Sequence, residues 1–166
     1  MIKYSDSYWI NIALKLAQYA QKEGEIPVGA LLVLNNKIIG KGWNQSIKNN
    51  DPIAHAEIVA LRHGAKILKN YRLLNTTLYS TLEPCIMCSG AVIHSRINRL
   101  VYGASNQKNG AVDSLINILH NPNIHHKIEI VSGVLKEKCI QKLNNFFILC
   151  RKKNKQNKNK ILKLKK

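Results

Sequence analysis

Acidic residues are scarce in this chain: nine Asp and Glu stand against 26 Lys and Arg, a formal net charge of +17 over 166 residues. Long apolar runs are missing too. None approaches the roughly 18 residues of a membrane span. Met1 to Trp9 has no hydrophobic stretch of the signal-peptide kind, so the expectation is a cytoplasmic protein that makes no membrane contact. Without a secretion signal, the four cysteines are a poor disulfide framework. Internal repeats are absent, which excludes a solenoid. An apolar fraction of 45% excludes an intrinsically disordered chain. A chain of this length suits one domain, able to bury roughly 70% of its unfolded surface without staples.

What is present is unevenly spread. The sixteen residues from Arg151 to Lys166 hold nine Lys or Arg and no acid; the first 150 hold 17 basic and 9 acidic residues. Both parts are positive, a pattern that attracts nucleic acid or an anionic surface. Codon composition is a competing origin: Lys, Asn and Ile make up 61 of the 166 residues, and all three use codons rich in A and T. The expected organisation is a domain over 1–150 and a basic tail over 151–166 that frays.

Hydrophobic periodicity lays out the elements. Trp9, Ile12, Ala13, Leu16 and Ala20 recur at helical spacing after a cap among Ser5 to Ser7, and Gly24 stops the helix. Val28 to Leu34 and Lys37 to Gly40 read as strands joined by a tight Asn35-Asn36 turn. Gln45 to Pro52 reads as a polar loop. Ala54, Ile58, Leu61, Ala65 and Leu68 form one helical stripe. A strand over Thr77 to Thr81, a short helix over Cys85 to His94 and a strand over Arg99 to Gly103 follow, the two strands being parallel neighbours. Ser105 to His126 is irregular, Lys127 to Val131 alternates like a strand, and a last helix runs from Val134 to Cys150. Such an alternation predicts a three-layer α/β domain around a mixed sheet.

Cys85 and Cys88, at i and i+3 on a helix start, point both thiols to one side, where the helix N-terminus favours thiolates. That pair suits a metal or redox role. Cys139 and Cys150 do not complete a four-cysteine zinc site. On one helix, eleven residues separate them by roughly 16 Å, too far for two ligands of one ion, so both read as ordinary buried cysteines. His55, which opens a helix and precedes Glu57 by two, is the candidate third ligand. One His and two Cys leave a fourth zinc position for water, the arrangement of a catalytic site. Glu57 then stands beside it as a proton carrier.

The combination His55-Ala56-Glu57 with Pro84-Cys85 and Cys88 resembles the H-x-E…P-C-x-x-C signature of the zinc deaminases that act on nucleobases. Further stretches narrow the resemblance: Ile26-Pro27-Val28-Gly29-Ala30, Gly42-Trp43-Asn44, Asn70-Tyr71-Arg72-Leu73, Thr81-Leu82-Glu83-Pro84-Cys85 and His94-Ser95-Arg96-Ile97. With the run Gly110 to Leu119 and Phe146-Phe147, they are similar to the bacterial tRNA adenosine deaminases over residues 6–152. The resemblance implies the cytidine-deaminase-like fold with a five-stranded mixed sheet, a homodimer and one zinc ion per subunit on His55, Cys85 and Cys88. It implies hydrolysis of adenosine to inosine at the wobble position of a tRNA anticodon, an arginine tRNA being the expected substrate, by a zinc-bound hydroxide with Glu57 as proton shuttle. It also implies that Asn44 hydrogen-bonds the exposed nucleoside while Pro27 and Val28 line its pocket. The Trp43 ring reads as core.

Two departures stand out. Asn106 occupies a place near the substrate where relatives often carry Asp. Ile148 and Cys150 stand where some relatives have arginine, so the phosphate-binding role passes to Arg151, Lys152 and Lys153. Two alternative readings remain. One is a zinc deaminase of a free base or nucleoside (guanine, cytosine or cytidine), because the signature reports the hydrolysis and not the base. The other is a non-catalytic zinc module that binds RNA, for which Glu57 has no use.

Overall fold

The structure, a computed structural model, describes residues 4–164, with side chains through Asn157. Its elements are α1 (Asp6–Lys22), β1 (Gly29–Leu34), β2 (Lys37–Trp43), α2 (Ser46–Asn49), α3 (Ala56–Leu68), β3 (Thr77–Leu82), α4 (Ile86–Ser95), β4 (Arg99–Ala104), β5 (Glu129–Val131) and α5 (Lys136–Leu164). The strands form one five-stranded sheet in the order β2-β1-β3-β4-β5. β1 runs antiparallel to β2 and β3, while β3, β4 and β5 are parallel, so the sheet is mixed as expected.

Strand alternation divides the core in two. Ala30, Leu32, Leu78, Leu100 and Tyr102 face the layer holding α3 and α4. Leu31, Val33, Tyr79 and Val101 face α1 and the start of α5. This is the three-layer α/β/α arrangement, with the central strands β1, β3 and β4 burying both faces. Ser5 caps α1 by accepting the Tyr8 N–H at 3.2 Å. Asn35 and Asn36 take φ of 49° and 59°, the left-handed pair that a two-residue hairpin turn requires.

One close approach positions the site. A Cβ on Gly42 would overlap the Ala56 carbonyl oxygen, so the first turn of α3 lies directly on the backbone of β2. Only glycine allows that contact.

Three elements differ from the sequence reading. The Gln45 to Pro52 loop contains the short helix α2, because buried Glu25 accepts the N–H groups of Ile47 and Lys48 at 2.7 and 2.9 Å. The last helix starts at Lys136 rather than Val134, since Gly133 and Leu135 take positive φ. The sequence reading also has the tail fray after Cys150, yet the backbone stays helical through Leu164. No Gly or Pro interrupts that stretch, and its lysines favour helix. Residue 150 therefore marks where an apolar face ends, not a backbone break. The last two tail residues lie outside the described residues. Among the described residues, no helix is long and apolar enough to cross a membrane.

Candidate active site

Two helix N-termini meet at one point. His55 is the N-cap of α3 and Cys85 the N-cap of α4, each with extended backbone. Their carbonyls accept the first helical N–H groups, from Val59 at 3.0 Å and Ser89 at 2.8 Å. Chain geometry brings the caps together: α4 starts just beyond the C-terminal end of β3, and α3 is pressed onto β2 by Gly42. Both helix dipoles present their positive ends here, which favours thiolates over thiols.

The Nδ1 of His55 lies 3.6 Å from the Sγ atoms of both Cys85 and Cys88. All three donor atoms fall within 4.8 Å of one another. Tetrahedral zinc, with Zn–N near 2.05 Å and Zn–S near 2.3 Å, requires an N···S edge of about 3.6 Å. The donor set and its spacing therefore fit zinc. A hydrogen bond joins the two sulfurs. Donation from Cys88, opposed by burial and helped by His55, lowers the Cys85 thiol to about 4. The same hydrogen bond, with burial adding to it, pushes Cys88 up. His55 is raised by its hydrogen bond to Cys85, against burial and with the negative charge of Glu57.

Glu57 sits in the first turn of α3, only 4% exposed. Burial raises its pKa, and its carboxylate is within hydrogen-bonding reach of Cys88. The structure thus brings His55, Glu57, Cys85 and Cys88 into one cluster. Asn44 adjoins it: the Asn44 Oδ1 accepts the Ala56 N–H at 3.0 Å, capping α3 from the end of β2. Its other amide group, Nδ2, is a donor. Val28, 3% exposed, accepts the Asn44 N–H at 3.2 Å, so buried Pro27 and Val28 stand beside that residue.

The remaining expected residues lie further out. Asn106, half-buried, belongs to the irregular segment after β4, and with Ile26, Asn144 and Phe147 it lines a cavity of about 420 Å³. Arg151 and Lys152 are exposed on α5 and do not reach the cluster. Arg151 continues the stripe of Asn144 and Phe147, at i+7 and i+4; Lys152 lies off it. Cys139 is 1% exposed and Cys150 half-buried, both on α5 and away from the cluster. The Trp43 ring turns towards α1, packing near Tyr19 and donating from Nε1 to Glu23 at 3.0 Å.

Sequence reasoning missed Glu83. Its carboxylate, 1% exposed, accepts hydrogen bonds from Asn106, Val112, Asp113 and Ser114. Burial alone would raise its pKa, but the Ser114 hydroxyl and the backbone N–H groups hold it below the usual carboxylate value. The available signal was an acid placed just before Pro84, at the end of a buried strand, in a chain with so few acids.

A family model, the cytidine and deoxycytidylate deaminase zinc-binding region, matches residues 3–104. A tRNA-specific adenosine deaminase from Haemophilus influenzae is 57% identical over 143 residues, covering 86% of this chain and 83% of that protein. Among solved structures, a tRNA:A34 deaminase studied for A-to-I editing at the wobble position of transfer RNA superposes with a TM-score of 0.80. It is 38% identical and covers 82% of this chain and 99% of the other. A guanine deaminase from Bacillus subtilis is 36% identical with a TM-score of 0.59, over 61% of this chain and 66% of its own. With His55, Glu57, Cys85 and Cys88 clustered on the shared fold, the chain belongs to the zinc-binding cytidine and deoxycytidylate deaminase family, within its tRNA-specific adenosine deaminase branch, and is an enzyme.

Proposed function

We propose that this enzyme hydrolyses adenosine to inosine, releasing ammonia, at the wobble position of a tRNA anticodon, with an arginine tRNA as substrate. The observation that carries the reaction is the buried Glu57 carboxylate beside three donors spaced for zinc. The names of its relatives support the tRNA substrate, and so does the net charge of +17. An anticodon loop is already single-stranded, which keeps the cost of exposing one base low.

His55, Cys85 and Cys88 would hold one zinc ion per subunit, which would supply Lewis-acid activation of water at neutral pH. Glu57 does the proton work. Its carboxylate takes a proton from the attacking water and passes it to N1 of adenine, then takes the remaining proton from the hydroxyl added at C6 and delivers it to the departing amine. Burial suits this role, because it brings the carboxyl's proton affinity closer to that of the groups it serves. Asn44 holds the nucleoside through its side-chain amide, Pro27 and Val28 wall the pocket, and Asn106 borders the ribose and backbone. Arg151 and Lys152 contact phosphates beyond the loop.

The enzyme works in the cytoplasm as a homodimer. An apolar cavity of about 380 Å³ between α3 and α4, lined by Ile53, Leu61, Tyr71 and Met87, supports pairing on that face. Mass spectrometry of anticodon-loop fragments, after incubating the protein with total tRNA, tests the reaction and the substrate together. Inosine at the wobble position of an arginine tRNA is the expected product. Turnover of free guanine, cytosine or cytidine with no inosine in tRNA would overturn the reading in favour of a free-base deaminase. No turnover of either would favour a non-catalytic zinc module.

A further inference from the structure

We propose that Glu83 is a positioning residue that ties the substrate-bordering segment 105–114 to the turn bearing Cys85. The inference rests on the tRNA deaminase reading above for the meaning of that segment. Its physical basis is independent. Segment 105–114 has turns but no regular element of its own, so its backbone donors must be satisfied elsewhere.

One carboxylate satisfies four of them. Oε2 of Glu83 accepts the Asn106 N–H at 2.8 Å and also the Ser114 hydroxyl. Oε1 accepts the N–H groups of Val112, Asp113 and Ser114 at 3.1, 2.8 and 2.9 Å. Donors from both ends of the segment therefore converge on one side chain. The wrapping is close: a Cβ on Gly110 would overlap the Glu83 carboxylate.

The backbone of Glu83 and its successors is bonded to the end of β4 and to the segment that follows it. Glu83 N–H donates to the Ala104 carbonyl at 2.8 Å, and Ala111 N–H donates to the Pro84 carbonyl at 2.9 Å. An isolated antiparallel bridge joins Cys85 to Gly110. Asn106 is thus set on one side by Glu83, while its own Oδ1 accepts the Asn109 N–H at 3.2 Å. The wall of the cavity between this segment and Phe147 takes its shape from that anchor. Only an acceptor-only group fits so many donors; an amide of the same shape would set its NH2 against some of them.

The test is Glu83→Gln in the full chain, with Ser114→Ala as a milder variant that removes one donor and introduces none. Amide hydrogen exchange at residues 106 and 112–114, zinc content, and kcat and KM on an anticodon stem-loop are measured for each. In Glu83→Gln the protection of those amides should fall, zinc should stay bound, and KM should rise about tenfold, with kcat changing less. Ser114→Ala should shift the same quantities in the same direction by a smaller factor. Unchanged exchange protection in Glu83→Gln overturns the proposal. So does loss of zinc in step with loss of activity, because Glu83 would then act through the metal-binding turn. If Glu83→Gln does not fold, the exchange and KM of Ser114→Ala decide. Should the unsubstituted protein deaminate no tRNA, the functional reading fails, and the exchange and zinc readouts still judge Glu83.

Discussion

The side-chain oxygen of Asn44 accepts the backbone N–H of Ala56 at 3.0 Å. His55, the N-cap of α3, makes no side-chain capping bond of its own, so the residue proposed to hold the nucleoside also caps the helix that carries Glu57. The two roles separate by substitution. Asn44→Ala should cost about 1 kcal/mol of stability through the lost cap, and most of the activity. Asn44→Asp retains an acceptor at a helix N-terminus, where a negative charge is favoured, but loses the amide donor. Its melting temperature should stay near that of the unsubstituted protein while activity remains low. Recovery of activity in Asn44→Asp would show that the amide does not bind substrate.

Glu57 gives the sharpest separation of chemistry from structure. It is not among the zinc donors, and its burial is unfavourable to the ionised form. Glu57→Ala and Glu57→Gln should therefore fold and bind zinc with normal stoichiometry. Turnover should fall by roughly 10²–10⁴-fold, the usual contribution of a positioned acid–base group. Metal analysis beside a single-turnover assay provides the check, and unchanged turnover removes Glu57 from the mechanism.

The four cysteines should differ in reactivity. Burial pushes the Cys139 thiol up to about 11, and its side chain is 1% exposed, so it should resist alkylation until the protein unfolds. Cys150, half-buried near the end of the packed part of α5, should label in the native protein. Cys85 and Cys88 should label only after a strong chelator removes zinc, and activity should disappear in the same step. Peptide mapping of alkylated sites before and after chelation reads all four, and early labelling of Cys85 in metal-loaded enzyme would count against its role as a ligand.

Gly42 is the contact that seats α3. Replacing it with alanine drives a methyl group into the Ala56 carbonyl, and the neighbour is backbone, which cannot turn aside. Overpacking of this kind costs about 1–3 kcal/mol, or roughly 3–10 °C in melting temperature for a chain of this size. Because the displaced turn carries His55 and Glu57, activity should fall further than the stability loss alone accounts for. Thermal denaturation and turnover measured on one preparation compare the two effects.

Features written locally were legible before the fold was known. Apolar spacing located the major helices and the five strands, and Asn35-Asn36 marked the hairpin. His55, Glu57, Cys85 and Cys88 were legible because ligand chemistry restricts both residue type and spacing. What escaped depends on distant partners. α2 exists because Glu25 accepts N–H groups more than twenty positions along the chain. The shape of segment 105–114 depends on Glu83, which is just as remote from it in sequence. No local pattern announces either bond. The extension of α5 to Leu164 escaped for the opposite reason: no apolar stripe marks it, and lysine-rich helix without a packing face reads like tail.

That extension sharpens the test of the basic residues. Arg151 stands, exposed, on the helical stripe that continues from Asn144 and Phe147, which line the cavity beside segment 105–114. Lys152 and Lys153 are exposed on the same turn of helix. Each phosphate contact removed should lower the slope of log affinity against log salt by about 0.7–0.9. Replacing Arg151, Lys152 and Lys153 with glutamine should therefore weaken binding of an anticodon stem-loop and flatten its salt dependence by about two. Arg151→Gln alone should account for the largest single share. Turnover of saturating substrate should hold, because none of the three reaches the zinc-binding cluster. If affinity and slope both stay as they were, these side chains do not contact phosphate, and the positive charge that binds tRNA belongs to other residues.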